Sequence, residues 1–273
     1  MAEARTRRRR HAVHGRLQRV TGLRPVVVTG GTSGIGLGVA RRLVADGHPV
    51  VLLGRDRGRA DDALVQLVDS GADPATIVAV AGDTTDPNHL ARAVDVCAER
   101  WGPVVGLVTA AGRLARGSVT DLPLDELRAA LETNVVGTWL AVRAVLPTMV
   151  EQQHGRIVTI GSVLGSVGAA DRAGYAATKG AVAAMTRSIA LEVAADGVTI
   201  NCVAPGPVRT PMNADQHGTE ADRAAEAAFT SSIPIGRWGS PDDVAHAVGG
   251  LLAPDAGWTT GSVVYVDGGF TAR

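Results

Sequence analysis

Seven short runs of valine, leucine and isoleucine recur along this chain, separated by stretches with helical spacing. The runs are Val26–Thr29, Val50–Leu53, Ile77–Val80, Val104–Thr109, Arg156–Ile160, Val198–Val203 and Val263–Val266. They are continuous and apolar, not alternating, which is the pattern of strands covered on both faces. Helical patterns occupy Ile35–Asp46, Arg59–Ser70, His89–Trp101, Leu124–Gln152, Gly174–Ala195 and Pro241–Leu252. Asp86-Pro87 supplies a start signal for the third, a capping carboxylate followed by a proline whose missing N–H costs nothing there. Strands alternating with helices of this length imply βαβ units, so the fold class is α/β, a doubly wound parallel sheet of about seven strands. The stretch Pro211–Gly239 breaks the rhythm and is a candidate lid over a pocket.

Composition narrows the class. The chain has 273 residues and only 3% aromatics, so its core must be built from Val, Ala, Leu and Gly in what reads as one domain. Cys97 and Cys202 form no CxxC or His-bearing metal pattern and are expected to be reduced thiols. No stretch of 18 apolar residues is present, so nothing is expected to span a membrane. Residues 1–24 hold eight arginines and one glutamate, a charge of +7 that leaves residues 25–273 at −7. We therefore divide the chain into a basic extension over 1–24, expected to be solvated and disordered, and a folded unit over 25–273. The run Arg7-Arg8-Arg9-Arg10 has no apolar stretch after it, so it is not a twin-arginine export signal. The acidic body argues against a nucleic-acid partner. A cytoplasmic protein is expected.

Directly after the first strand comes Thr29-Gly30-Gly31-Thr32-Ser33-Gly34-Ile35-Gly36, which runs into a helix. In that setting glycines let backbone amides approach a pyrophosphate at a helix N-terminus, which makes the sheet a Rossmann-type dinucleotide binder. The spacing is Gly30-x3-Gly34-x-Gly36 and not the general GxGxxG, so position in the βαβ series carries the inference.

The chain has 26 arginines and a single lysine, Lys179, four residues after Tyr175. On a helix that spacing puts hydroxyl and ammonium on one face. Lysine is a compact cation that can pass a proton on, whereas arginine cannot. A cation beside a phenol favours its ionised form.

The glycine loop, Asp83, Ala111-Gly112, Asn134, Ser162, Tyr175 with Lys179, Pro205-Gly206 and Val266-Asp267-Gly268-Gly269 follow one another in order. With these, the chain from about Pro25 to Gly269 resembles the short-chain dehydrogenases/reductases in their compact form. The resemblance implies that Tyr175 acts as general acid or base, with Lys179 lowering its pKa and binding the nicotinamide ribose. It implies that Ser162 holds the substrate oxygen and that Asn134 supports a water linking Lys179 to solvent. For the cofactor it implies contacts from Gly30, Thr32, Ser33, Gly34, Ile35, Gly36, Asp83, Thr84, Ala111, Gly112, Pro205, Gly206, Val208 and Thr210. One motif departs: the family's usual Asn-Asn-Ala-Gly is Thr109-Ala110-Ala111-Gly112 here, so bracing by the asparagine must be replaced. Gly54 stands where an acidic residue would select NAD(H), and Arg55 follows it, so NADP(H) is favoured. Asp56 would reverse that preference if it pointed inward.

The implied activity is interconversion of a secondary alcohol and a ketone, and the subgroup resemblance is to 3-oxoacyl-[acyl-carrier-protein] reductases, with polyketide-like substrates in range. Sugar or cyclic alcohol dehydrogenases share the same catalytic core and remain the alternative. A nucleotide sensor without chemistry would be expected to lack the tyrosine or lysine, and a sugar-nucleotide epimerase to show another glycine spacing and a longer C-terminal part. The pocket wall is expected to be apolar, with Arg113, Leu114, Val163, Leu164, Gly168 and Trp238, and no metal is expected. The family implies a homotetramer, or a homodimer.

Overall fold

Strands apolar on both faces are stable in the middle of a layered structure. In the computed structural model, which describes residues 24–216 and 220–272, the side chains of 214–225 excepted, the central strands lie there while the last one is a partly exposed edge. The basic extension therefore falls outside the described residues apart from Arg24. The strands are β1 (Val26–Thr29), β2 (Val50–Gly54), β3 (Ile77–Ala81), β4 (Gly106–Thr109), β5 (Gly155–Ile160), β6 (Val198–Pro205) and β7 (Val263–Val266). They form one sheet in the order β3-β2-β1-β4-β5-β6-β7, parallel at every pairing.

The pleat sends successive side chains to opposite faces, and each face has its own core. Val26 and Val28 pack with α1 (Gly34–Ala45), α2 (Arg57–Asp69) and α8 (Pro241–Leu252), through Leu43, Leu67 and Val248 among others. Val27, Val51, Leu107 and Ile157 face α3 (Pro87–Trp101), α5 (Gly137–Glu151) and α6 (Ala173–Val193), meeting Leu90, Met149 and Ile189. Asp86 caps α3 as expected, accepting from the Asn88 N–H at 2.8 Å.

The long helix expected over Leu124–Gln152 is instead divided. An α-helix, α4 (Leu124–Leu131), passes into a π-helical turn over Glu132–Val136 before α5 begins. The candidate lid contains a 3-10 turn at Pro211–Gln216 and helix α7 (Glu220–Ser231). Its two ends are tied together. Arg209 N–H donates to the Gly239 carbonyl at 3.0 Å, and Gly239 N–H donates to the Pro207 carbonyl at 2.8 Å.

Leu107 in β4 is 1% exposed and central to the second core. Leu107→Ala should lower unfolding stability by about 3 kcal/mol, measured as a fall in the chemical denaturation midpoint without a change of slope.

Candidate active site

A cleft of about 1200 Å³ crosses the carboxyl ends of the strands, lined in turn by Gly30, Gly54, Gly82, Ala110, Gly161 and Pro205. Between β1 and β4 the strand order reverses, and crossover helices leave that point open. Gly30 makes the opening possible. It sits at φ +67°, and a Cβ there would stand 2.5 Å from the Ala111 amide nitrogen. Gly36 allows the next approach, since a Cβ would lie 2.2 Å from the Gly30 carbonyl oxygen.

Helix α1 begins beyond this loop with no side-chain cap and no acidic residue in its first turn. Uncapped amides and a positive helix end facing a cleft fit a pyrophosphate. Thr32, Ser33, Gly34, Ile35, Thr84, Ala111, Gly112, Gly206, Val208 and Thr210 all line the cleft, as expected of cofactor contacts. Gly112 lies close to the catalytic helix, where a Cβ would stand in ordinary contact, 4.0 Å from Lys179 Nζ and 3.6 Å from Asn134 Oδ1. Asp83 lines the cleft too, and shapes its own turn by accepting from Thr85 N and Oγ1, both at 2.9 Å. Its other carboxylate oxygen is 4.0 Å from Arg55.

Asp56 also lines the cleft, with its carboxylate engaged by the start of the next helix. It caps α2, accepting from the Arg59 N–H at 3.0 Å, and lies 4.0 Å from the Arg59 side chain. Arg59 also lines the cleft. It was not expected, although one helical turn from Arg55 is the spacing that would have found it.

Tyr175 and Lys179 share one face of α6, and both reach the cleft. The ammonium lies 5.6 Å from the phenol ring centroid, within cation–π range. It donates at 2.7 Å to the carbonyl of Ile160, the last residue of β5. Burial pushes Lys179 down to about 8, against a raising influence from Cys202. Burial also pushes the Tyr175 phenol up to about 12, whereas a lowering by Lys179 was expected. At neutral pH the hydroxyl therefore keeps its proton and the ammonium its charge. A protonated phenol facing the cleft can donate to a carbonyl oxygen, which is the role an acid has in ketone reduction.

Ser162 follows β5 and accepts from the Leu164 N–H at 3.2 Å. That bond uses an oxygen lone pair and leaves the hydroxyl hydrogen available to the cleft, which Ser162 lines. Asn134 does not line the cleft; it is 1% exposed, inside the π-helical turn. Its amide donates to the Arg113 carbonyl and to Thr178 Oγ1, both at 2.9 Å, and its oxygen accepts from Arg113 N–H at 2.7 Å. It ties the loop after β4 to the helix that carries Tyr175 and Lys179, acting as a positioning residue.

Leu114, Val163, Leu164 and Trp238 line the cleft as expected, but Arg113 and Gly168 do not. The Arg113 guanidinium turns out to Glu126 at 2.6 Å, and Gly168 lies in an exposed loop with no neighbour within 4 Å of a Cβ. The wall is less apolar than expected, because Arg116 and Arg172 belong to it. Phe229 and Phe270 were missed as well, yet they are the chain's only 2 phenylalanines, and such scarcity could have flagged them. Phe229 packs against Trp238 within the lid, ring centroids 5.3 Å apart, and against Phe270 beyond it at 6.0 Å.

A dinucleotide cleft with a tyrosine–lysine pair and a strand-end serine defines an oxidoreductase working on oxygen-bearing carbon. The family model described as Enoyl-(Acyl carrier protein) reductase matches residues 30–271. The chain is 36% identical to 2-(S)-hydroxypropyl-CoM dehydrogenase 3 of Xanthobacter autotrophicus, over 90% of this chain and 96% of the relative. It is 35% identical to the 3-oxoacyl-[acyl-carrier-protein] reductase MabA of Mycobacterium tuberculosis, over 90% of this chain and 92% of the relative. A crystal structure of a single-substitution variant of actinorhodin polyketide ketoreductase with NADPH superposes with a TM-score of 0.85 at 33% identity, covering 92% of this chain and 98% of that one. The chain belongs to the short-chain dehydrogenase/reductase family and is an oxidoreductase that interconverts secondary alcohols and ketones with a nicotinamide cofactor.

The two perturbed groups set a pH profile. Tyr175 stays protonated below about 12, and Lys179 loses its charge above about 8. Initial-rate measurements should show kcat/KM for ketone reduction level between about pH 6 and 7.5, then falling about tenfold per unit above about 8. Lys179→Arg, whose charge cannot be titrated there, should be slower overall and lack that fall.

Proposed function

We propose that this protein is an NADP(H)-dependent ketoreductase whose substrates are 3-oxoacyl thioesters or related polyketide-like ketones. The observation that carries the reading is the protonated Tyr175 hydroxyl beside Lys179, on the same cleft as Ser162 and the glycine loop. A bound nicotinamide would exchange hydride with the substrate carbon. Tyr175 would donate its proton to the carbonyl oxygen, and Ser162 would hold that oxygen where negative charge develops. Lys179 would bind ribose hydroxyls and replenish the proton. The polyketide ketoreductase and MabA, both similar over nine-tenths of this chain, support a thioester substrate.

For the cofactor, Arg55 and Arg59 stand at the end of β2 with Asp56 turned into its helix cap. Two guanidiniums beside an Asp56 carboxylate occupied by its helix cap suit a ribose 2′-phosphate. We further read the protein as a cytoplasmic homotetramer. Among the described residues no helix is long and apolar enough to cross a membrane. Trp139 on α5, Leu191 on α6 and Trp258 before β7 are exposed apolar side chains, with Leu191 at 87% and Trp258 at 100%.

Tyr175→Phe should keep its melting temperature and nucleotide affinity while ketone turnover drops by about 10³-fold or more, followed as NADPH absorbance. A wild type that binds nucleotide yet turns over no ketone would refute the reading. Arg55→Ala combined with Arg59→Ala should cut the NADPH-over-NADH preference in kcat/KM by about tenfold to hundredfold. An unchanged ratio would place the selectivity elsewhere.

A further inference from the structure

Past β6 the chain reads Pro205-Gly206-Pro207-Val208-Arg209-Thr210, and every residue of this run lines the cleft except Arg209. The Arg209 side chain stands outside, 57% exposed, yet it meets two groups that do line the cleft. Its guanidinium pairs with the Glu226 carboxylate on α7 and lies over the Trp238 ring, 5.4 Å from the centroid.

These contacts close on themselves. Trp238 Nε1–H donates to Thr230 Oγ1 at 2.9 Å, and Thr230 Oγ1 donates to the Glu226 carbonyl at 2.7 Å. The Phe229 ring packs tilted against Trp238. At the backbone, Val208 pairs with Gly239 as an isolated parallel bridge. Asn213 stiffens the loop from the other side. Its oxygen accepts from Thr210 N–H at 2.9 Å, and its amide donates to the Val208 carbonyl at 2.9 Å. Arg209 therefore leaves a rigid loop and grips the two movable side chains of the opposite wall.

The residue type suits the task. A guanidinium can lay its plane on an indole while its N–H edge bonds a carboxylate, which an ammonium cannot do at once. The Glu226 side chain is only 18% exposed, and a carboxylate so far out of water is costly without a cation beside it. We propose that Arg209 is a positioning residue for the substrate, holding Trp238 and Glu226 where they form the wall beyond the reacting ketone. The loop that carries the expected cofactor contacts Val208 and Thr210 thereby also sets the far end of the substrate pocket. This rests on the ketoreductase reading and adds a residue to it.

The test compares N-acetylcysteamine thioesters of 3-oxobutanoate and 3-oxodecanoate, each reduced with NADPH. Arg209→Met keeps a long side chain and removes the charge and the plane. It should raise KM for the long thioester about tenfold with kcat within about threefold of wild type, and leave the short one within about twofold. Arg209→Lys should recover part of the loss, keeping the pair with Glu226 without the stacking. Arg128→Gln, which breaks an exposed ion pair with Asp125 on α4, should change nothing. Should Arg209→Met melt early, Arg209→Gln reads the same split. A loss shared equally by both thioesters, a fall in kcat alone, or no change at all would overturn the assignment while leaving the ketoreductase intact. If wild type reduces neither thioester, the ketoreductase reading fails first. Hydrogen exchange of the nucleotide-free protein then decides the positioning role. Arg209→Met should speed amide exchange over residues 227–239 at least about threefold with β4 and β5 unchanged, and equal exchange would overturn it.

Discussion

The bond from Lys179 Nζ to the carbonyl of Ile160 is the contact on which the rest of the site depends. A buried ammonium is expensive unless it has partners, and this one meets the carbonyl of the residue that ends a strand. The bond fixes the rotation of α6 against β5, and that rotation decides where Tyr175, one turn earlier, presents its hydroxyl. It also explains why a chain so rich in arginine keeps a lysine here. A guanidinium carries donors in a planar fork, and a site offering one carbonyl would leave several of them buried and unsatisfied. Burial lowers the pKa of the ammonium to about 8, close to working pH, so the group can release and recover a proton.

The π-helical turn over Glu132–Val136 has a matching purpose. The extra residue widens one turn of the helix and swings the Asn134 side chain between two elements that must stay in register. On one side lies the backbone of Arg113, and on the other Thr178, between Tyr175 and Lys179 in sequence.

Much of the fold was legible because it follows from local physics. Continuous apolar runs, helix-start residues and a glycine loop at the first strand-to-helix junction each report a constraint that neighbours in sequence impose. Tyr175 and Lys179 were legible for the same reason, being fixed by helical spacing, whereas Ser162 was marked only by the family resemblance. The π-helical turn was not, since its cause is a hydrogen-bonding partner in another segment. The pocket wall was read less well. Arg113 was expected inward, but its charge is better satisfied by Glu126 on α4, while Arg116 and Arg172 are turned in by a loop contact between Gly117 and Asp171 that no pattern encodes. The pKa of Tyr175 was expected to fall beside a cation, and the depth of the cleft, invisible in sequence, raises it instead.

The replaced asparagine after β4 is explained by the same contacts. Where the family's pattern has Asn-Asn-Ala-Gly, Thr109 and Ala110 replace the two asparagines; Ala110 offers no side-chain hydrogen bond and the buried Thr109 hydroxyl makes none, so this loop must be held by its backbone. Ala110 N–H reaches back to the Thr29 carbonyl at 3.0 Å, anchoring the loop to the end of β1. Three residues further on, Arg113 is gripped by Asn134 through both its N–H and its carbonyl. Between those two fixed points Ala111 can lie against Gly30 with no room for a Cβ.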